Sequence, residues 1–278
     1  MKPQLFVPLV TYPDANSDAI AAHAVAVAAQ LRGDLNVVAF NVDIPDVKSP
    51  LSRLLINVPE MIVAAEKESR QRGEALLRQF ENAAGARKVT LETDKKTGAI
   101  ALLGELAAEH ARYFDLSLVG WHVANPTSQA TAEAVVFGSG RPAMLLPELV
   151  EIGEFKQIAI AWDGSRVAAR AVADSMPFLR QAAKVHVLTV TDEKPLKEKE
   201  AGERLARHLR RGGIEADAIE IIAEDQPIAV TLQDHAVEMH ADLLVMGGYG
   251  HSRVRDFVLG GATQGVLDDL RLPVLMSH

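Results

Sequence analysis

Cysteine is absent from the 278 residues, which excludes disulfides, thiolate nucleophiles and cysteine-based metal sites. A basic surplus is absent too: 29 Lys and Arg stand against 37 Asp and Glu, a net charge of −8. That sign argues against nucleic acid as the main partner, since binding over a broad face needs clustered Lys and Arg, so no nucleic-acid partner is expected. No apolar run approaches the roughly 18 residues of a membrane span. Met1 to Val10 has neither the long apolar core nor the cleavage site of a signal peptide, so no membrane role is expected and the chain reads as cytoplasmic. The phosphate-loop pattern GxxxxGK[ST] is missing, as is a Ser-Gly-Gly loop. The lysine, Mg²⁺-binding carboxylates and positioned nucleophile of fast phosphoryl transfer are therefore not in evidence.

What the chain does have is glycine in two informative places. The apolar run Leu243-Leu244-Val245 leads into Met246-Gly247-Gly248-Tyr249-Gly250, and Gly260-Gly261-Ala262-Thr263 follows before a short amphipathic stretch ending near Leu270. A strand that runs into glycines, which then open a helix, suits a phosphate. Backbone N–H groups converge there, the helix N-terminus carries partial positive charge, and missing Cβ atoms let an anion approach.

Around these glycines the second half alternates short apolar strands with longer amphipathic segments. The strands are Gln157 to Ala161, Val185 to Val190, Ile214 to Ile222, Leu243 to Val245 and Val274 to Ser277. Helices are expected from Arg166 to about Arg180, from about Lys197 to Arg211, and from Pro227 to about His240. The first half repeats the order, with strands Leu5 to Val10, Asn36 to Val42, Lys88 to Thr93, Leu116 to Trp121 and Ala143 to Leu146, and helices Ala19 to Leu31, Glu60 to Ala84 and Ala99 to Arg112. Each half closes on a proline-led strand, Arg141-Pro142-Ala143-Met144-Leu145-Leu146 and Leu272-Pro273-Val274-Leu275-Met276. The pattern predicts an α/β chain of two tandem doubly wound parallel-sheet domains, Rossmann-like with five strands each, 1–150 and 151–278.

Three features of the second half resemble the universal stress protein family in its tandem, two-domain form. Gly247, Gly250 and Gly260 stand at the spacing of that family's ATP-binding signature. Asp163-Gly164-Ser165 looks like its strand-one aspartate turn, and Leu272 to Met276 resembles its final strand. The resemblance covers essentially the whole second half and, more weakly, the first. It implies that an adenine nucleotide such as ATP, with or without Mg²⁺, is bound in the second half. Asp163, beside Ala161, would lie near adenine and ribose, with Val190 as an apolar wall to the base and Met246 packed on base or sugar. Gly247 and Gly250 would approach ribose and phosphates, and Gly260, Gly261 and Ala262 would offer amides to the phosphates.

One position departs from the family: Gly261 stands where the signature continues with Ser or Thr, so a hydroxyl for a terminal phosphate is lost. Thr263 is the nearby candidate to replace it, although two residues along a helix turn it away. His251 and Arg253 either add charge at the phosphate end or belong to a solvated loop. The first half departs further. It reads Gly120-Trp121-His122-Val123-Ala124-Asn125-Pro126 after its fourth strand, with an indole where a ribose needs space. It has Gly138-Ser139-Gly140-Arg141 too close to the last strand to open a full helix, and no aspartate clearly at the position of Asp163. This half reads as a degenerate copy that binds no nucleotide.

Other polar groups read as structural. His235 and His240 are five apart and do not share a helix face as a metal-binding i, i+4 pair would, so no metal site is expected. Ser165 suits a helix N-cap better than a nucleophile. The segment Asp43 to Glu60, with Pro45, Pro50 and Pro59, is a lid, an interface or a surface insertion. The expected function is a ligand-responsive binding or signalling module in the stress response. Its two halves would pair within the chain through their closing strands, and a homodimer is a further expectation. The rival readings are an interaction protein with vestigial pockets and a slow ATPase.

Overall fold

The apolar runs of the sequence form strands in a computed structural model, which describes residues 2–45, 57–123, 125–192, 200–248 and 261–278. It divides into two compact units, Met1–Ser139 and Gly140–His278. Among the described residues no helix is long and apolar enough to cross a membrane.

The first unit runs β1 (Gln4–Val10), α1 (Ala19–Leu31), β2 (Asp34–Asp43), α2 (Val58–Arg87), β3 (Leu91–Ala99), α3 (Leu103–Ala111), β4 (Leu116–Trp121) and α4 (Pro126–Gly138). Its strands are parallel, in the order β3-β2-β1-β4. β1 and β4 are buried along nearly their whole length, as expected of strands covered by helices on both faces. The third strand was expected to end at Thr93, but β3 continues to Ala99 and a 3₁₀ turn over Ile100–Leu102 precedes α3. It is an edge strand whose residues 92–97 are all exposed, so it carries no apolar signature; its pairing with β2, from Leu35↔Leu91 to Asp43↔Ala99, defines it instead. A helix also lies before Gly138-Ser139-Gly140 where none was expected. Asn125 starts α4 as N-cap, accepting the Ser128 amide, and Pro126 takes the first turn.

The second unit runs β5 (Ala143–Pro147), β6 (Gln157–Ala161), α5 (Arg166–Leu179), β7 (Lys184–Val190), α6 (Ala201–Arg211), β8 (Ala216–Ile221), α7 (Ile228–Glu238), β9 (Leu243–Gly247), α8 (Gly261–Asp268) and β10 (Val274–Ser277). The order is β5-β10-β9-β6-β7-β8. All pairings given for this unit are parallel save one: β5 runs antiparallel to β10, Val274 opposite Leu145 and Met276 opposite Ala143. The boundary between compact units therefore falls ahead of β5, after Ser139, and leaves four strands in one unit and six in the other. The core of this unit is apolar, with Phe155 edge-on to Phe178 of α5.

Candidate functional site

In the second unit β7 and β8 lie on one side of β6, and β9 and β10 on the other. The direction of winding reverses between β6 and β9, and the carboxyl ends of strands at such a reversal border a crevice. Ala161 ends β6, and Met246 and Gly247 end β9. Ala161 is opposite Leu188 and Ala159 is opposite Leu244. Alternation then places Ala161, Val190 and Met246 on one sheet face and Gly247 on the other.

The β6–β7 ladder closes with the Trp162 amide donating to the Leu188 carbonyl at 2.8 Å. The chain then turns at once. The Ser165 amide donates to Asp163 Oδ1 at 2.9 Å, Gly164 adopts φ +73°, and Ser165 Oγ accepts the Ala168 amide at 3.2 Å to cap α5. One carboxylate oxygen of Asp163 thus serves the turn, and its side chain stands exposed at the mouth. Val190 ends β7 half-buried, opposite Ile221. Two residues on, Asp192 accepts the amides of Ala223 at 2.9 Å and Glu224 at 2.8 Å. Those N–H groups, the Ala223 amide foremost, hold its carboxyl below the usual carboxylate range.

Gly247 meets the first turn of α5. A Cβ there would fall 2.6 Å from the Ala168 nitrogen and 2.7 Å from the Val167 carbonyl carbon. Next to it the Gly248 amide donates to the Ser277 carbonyl at 2.8 Å, and the Gly248 carbonyl contacts His278 Nδ1 at 2.9 Å. Gly261 opens α8 and is exposed, and a Cβ on it would find nothing within 4 Å among the described residues. Ala262 is half-buried. Thr263 is buried together with Val266 and Leu267, three and four residues on. It therefore lies on the packed side of α8 rather than beside Gly261. Gly250, His251 and Gly260, with Tyr249 and Arg253, lie outside the described residues. Among the described residues no group of three or more His, Asp or Glu is placed to hold a metal ion. His235 Nδ1 contacts the Thr231 carbonyl, and His240 lies past the end of α7.

The first unit has the same reversal between β1 and β4. Its registers equate Leu5, Leu35 and Leu116 with Ile158, Val185 and Leu243. Counting along the strands, Gly120 matches Gly247, Trp121 matches Gly248, and buried Val10 matches Asp163. The ladder of β1 with β2 runs to Val10↔Phe40, two pairs beyond the equivalent of Ala161↔Leu188. Past it the Val42 amide donates to Ser69 Oγ (3.0 Å), Ser69 to Thr11 Oγ1 (2.7 Å), and Thr11 to the Phe40 carbonyl (2.8 Å). Thr11 and Ser69 are fully buried. Asn125 Nδ2 donates to the Asp14 carbonyl at 2.7 Å, tying the chain after β4 to that after β1, and Trp121 at the end of β4 is buried. Sequence reading found the indole but missed Ser69 and Asn125. Asn-Pro as an N-cap signal could have flagged the second; nothing local marks the first.

Comparison with known proteins places these units. Residues 154–278 match the model of the Universal stress protein family. The chain is similar to the universal stress protein Slr1230 of Synechocystis, 26% identical over 154 residues. That stretch is 52% of this chain and spans only 50% of the relative's length. Among solved structures it resembles a universal stress protein from Archaeoglobus fulgidus with TM-score 0.71 at 16% identity, covering 98% of this chain and 95% of that one. A putative universal stress protein from Pseudomonas aeruginosa gives TM-score 0.56 at 16% identity, covering 99% and 93%. At such identities these two likenesses show the fold.

Proposed function

Because its second half, residues 154–278, belongs to the universal stress protein family, we propose that this protein binds an adenine nucleotide there, at the carboxyl ends of β6 and β9, as a cytoplasmic binding or signalling module. The observation that carries the reading is the early opening of the β6–β7 ladder at the point of reversal. It leaves Asp163 exposed just past the end of β6, the strand next to β9 with its terminal Met246 and Gly247, and the first turn of α5 lies against Gly247. Ala161, Val190 and Met246 supply an apolar face for the base, and Asp163 keeps one carboxylate oxygen outside its turn for a ribose or base donor. The amides opening α8 at Gly261 and Ala262 suit phosphate, with Gly250, His251 and Gly260 completing the cradle. Ligand occupancy acts by mass action on stability or on a partner surface.

The test is thermal melting of protein stripped of copurified ligand, with ATP, ADP and AMP, each with and without Mg²⁺. A rise in melting temperature that is lost in Asp163→Ala supports the reading; no rise with any nucleotide refutes it.

A second reading, an interaction protein whose pocket is vestigial, is favoured by one observation. The contact of Gly247 with Val167 and Ala168 accounts for that glycine without any ligand. The same melting experiment separates the two.

A further inference from the structure

At the end of the first unit opposite its closed crevice, where β1, β2 and β3 begin, lies a half-open cavity of about 210 Å³. Lys2, Arg32, Arg87 and Lys88 line it, over a floor that includes Gly33 and Thr90. The carboxylate beside them is Asp34, which pairs with Lys2 at 3.2 Å and is held below the usual carboxylate range chiefly by that lysine. Among the described residues Arg32, Arg87 and Lys88 make no ion pair and no side-chain hydrogen bond. Three uncompensated cations thus share one concavity in a chain of net charge −8.

The backbone beneath two of them sharpens the point. Helices α1 and α2 both end in the same capping motif. The Gly33 amide reaches the Ala28 carbonyl and that of Arg32 reaches Ala29; the Val89 amide reaches Ala84 and that of Lys88 reaches Gly85. The residue at the turn of this motif is left-handed, and glycine is its usual occupant. Here it is Arg32 at φ 52° and Lys88 at φ 55°. Where α6 ends in the second unit with the same pair of bonds, Ile214 to Leu209 and Gly213 to Arg210, the left-handed residue is Gly213 at φ 80°. Where α7 ends in that motif, Ala241 to Ala236 and His240 to Val237, the left-handed residue is His240 at φ 53°, so a side chain at this turn is not special in itself. What sets the first unit apart is that two such turns carry long cations around one cavity. Cations do offset the negative end of a helix dipole, but the dipole does not require them at the strained position or turned into a common hollow. The capping amides take the carbonyls of Ala28, Ala29, Ala84 and Gly85, and the side chains of Arg32, Arg87 and Lys88 are exposed along the rim of the cavity.

We propose that this cavity is an anion site for a small, multiply charged phosphate compound, gripped by Arg32, Arg87 and Lys88 with Lys2 at its edge. The site is independent of the nucleotide reading of the second unit. The test is calorimetric titration of inorganic pyrophosphate at low ionic strength into the wild-type protein and into the double variant Arg32→Gly, Lys88→Gly. Glycine fits both left-handed turns, so the variant keeps its fold and its unliganded melting temperature is equal or higher. Pyrophosphate binding to the wild type, weakened about tenfold or more in the variant, is the expected result. No binding to the wild type, or equal binding to both, overturns the proposal. The response to ATP, measured alongside, tests the other reading: if it is absent while pyrophosphate behaves as expected, only the nucleotide site fails. If it disappears only in the variant, the nucleotide itself belongs in this cavity.

Discussion

Gly247 and Gly261 carry the same letter for different physical reasons. At Gly247 a single added carbon would press on the backbone of α5, which cannot move without shifting the helix. Gly247→Ala should cost roughly 1–3 kcal/mol, read as a lower urea midpoint with an unchanged m-value. At Gly261 an added Cβ would meet none of the described residues. Gly261→Ser should leave stability within about 0.5 kcal/mol while restoring the hydroxyl that the family signature carries. Titration calorimetry should then show ATP binding tightened more than AMP binding. The spacing of Gly247, Gly250 and Gly260 was legible in the sequence. The demand for glycine at 247 was not, because it arises from an approach between α5 and β9, and no local pattern encodes that. Thr263 was legible as turned away, since helical geometry alone decides it, and its burial beside Val266 and Leu267 agrees.

Secondary elements were readable in proportion to how apolar they are. The buried strands β1, β4, β6, β7 and β9 stand where the apolar runs put them. β3 ran on past its expected end because an exposed edge strand is held by its ladder to β2 rather than by burial. Asp-Gly-Ser before α5 was read as a turn into a capped helix, and Ser165 does cap it; Ser165→Ala should cost about 1 kcal/mol in urea unfolding. The closure of the first unit is a property of α2 meeting β1 and β2, invisible in either segment alone. Ser69→Ala would leave the buried Val42 amide without its acceptor, at a cost of about 1–3 kcal/mol, again read by urea. Asp192, joining the end of β7 to the turn after β8, gives a pH signature. Its carboxyl titrates lower folded than unfolded. Its contribution is thus present above the unfolded carboxylate value, about 3.9, and is lost as pH falls from there through the folded one. Asp192→Asn should therefore lose part of its deficit against wild type as pH falls from 7 to 3, measured by denaturation midpoints at each pH.

At the scale of the whole chain, two units of similar winding differ where their strands end. In the second, the ladder opens early and an exposed aspartate stands at the reversal. In the first, Val10 stands at the matching place, the ladder runs two pairs further, and Thr11, Ser69, Asn125 and Trp121 are buried. The duplication and the parallel sheets were legible as order and spacing. The pairing of the closing strands was expected too, and β5 does pair with β10; that this pairing leaves β5 in the second compact unit was not read from the sequence. On the proposed reading, each chain binds one nucleotide. Titration calorimetry of ATP into ligand-stripped protein, at an ionic strength that screens the exposed cations of the first unit, tests this most directly. Saturable binding with a stoichiometry of one per chain, abolished by Asp163→Ala, is the predicted result; no saturable binding, or two nucleotides per chain, would contradict it.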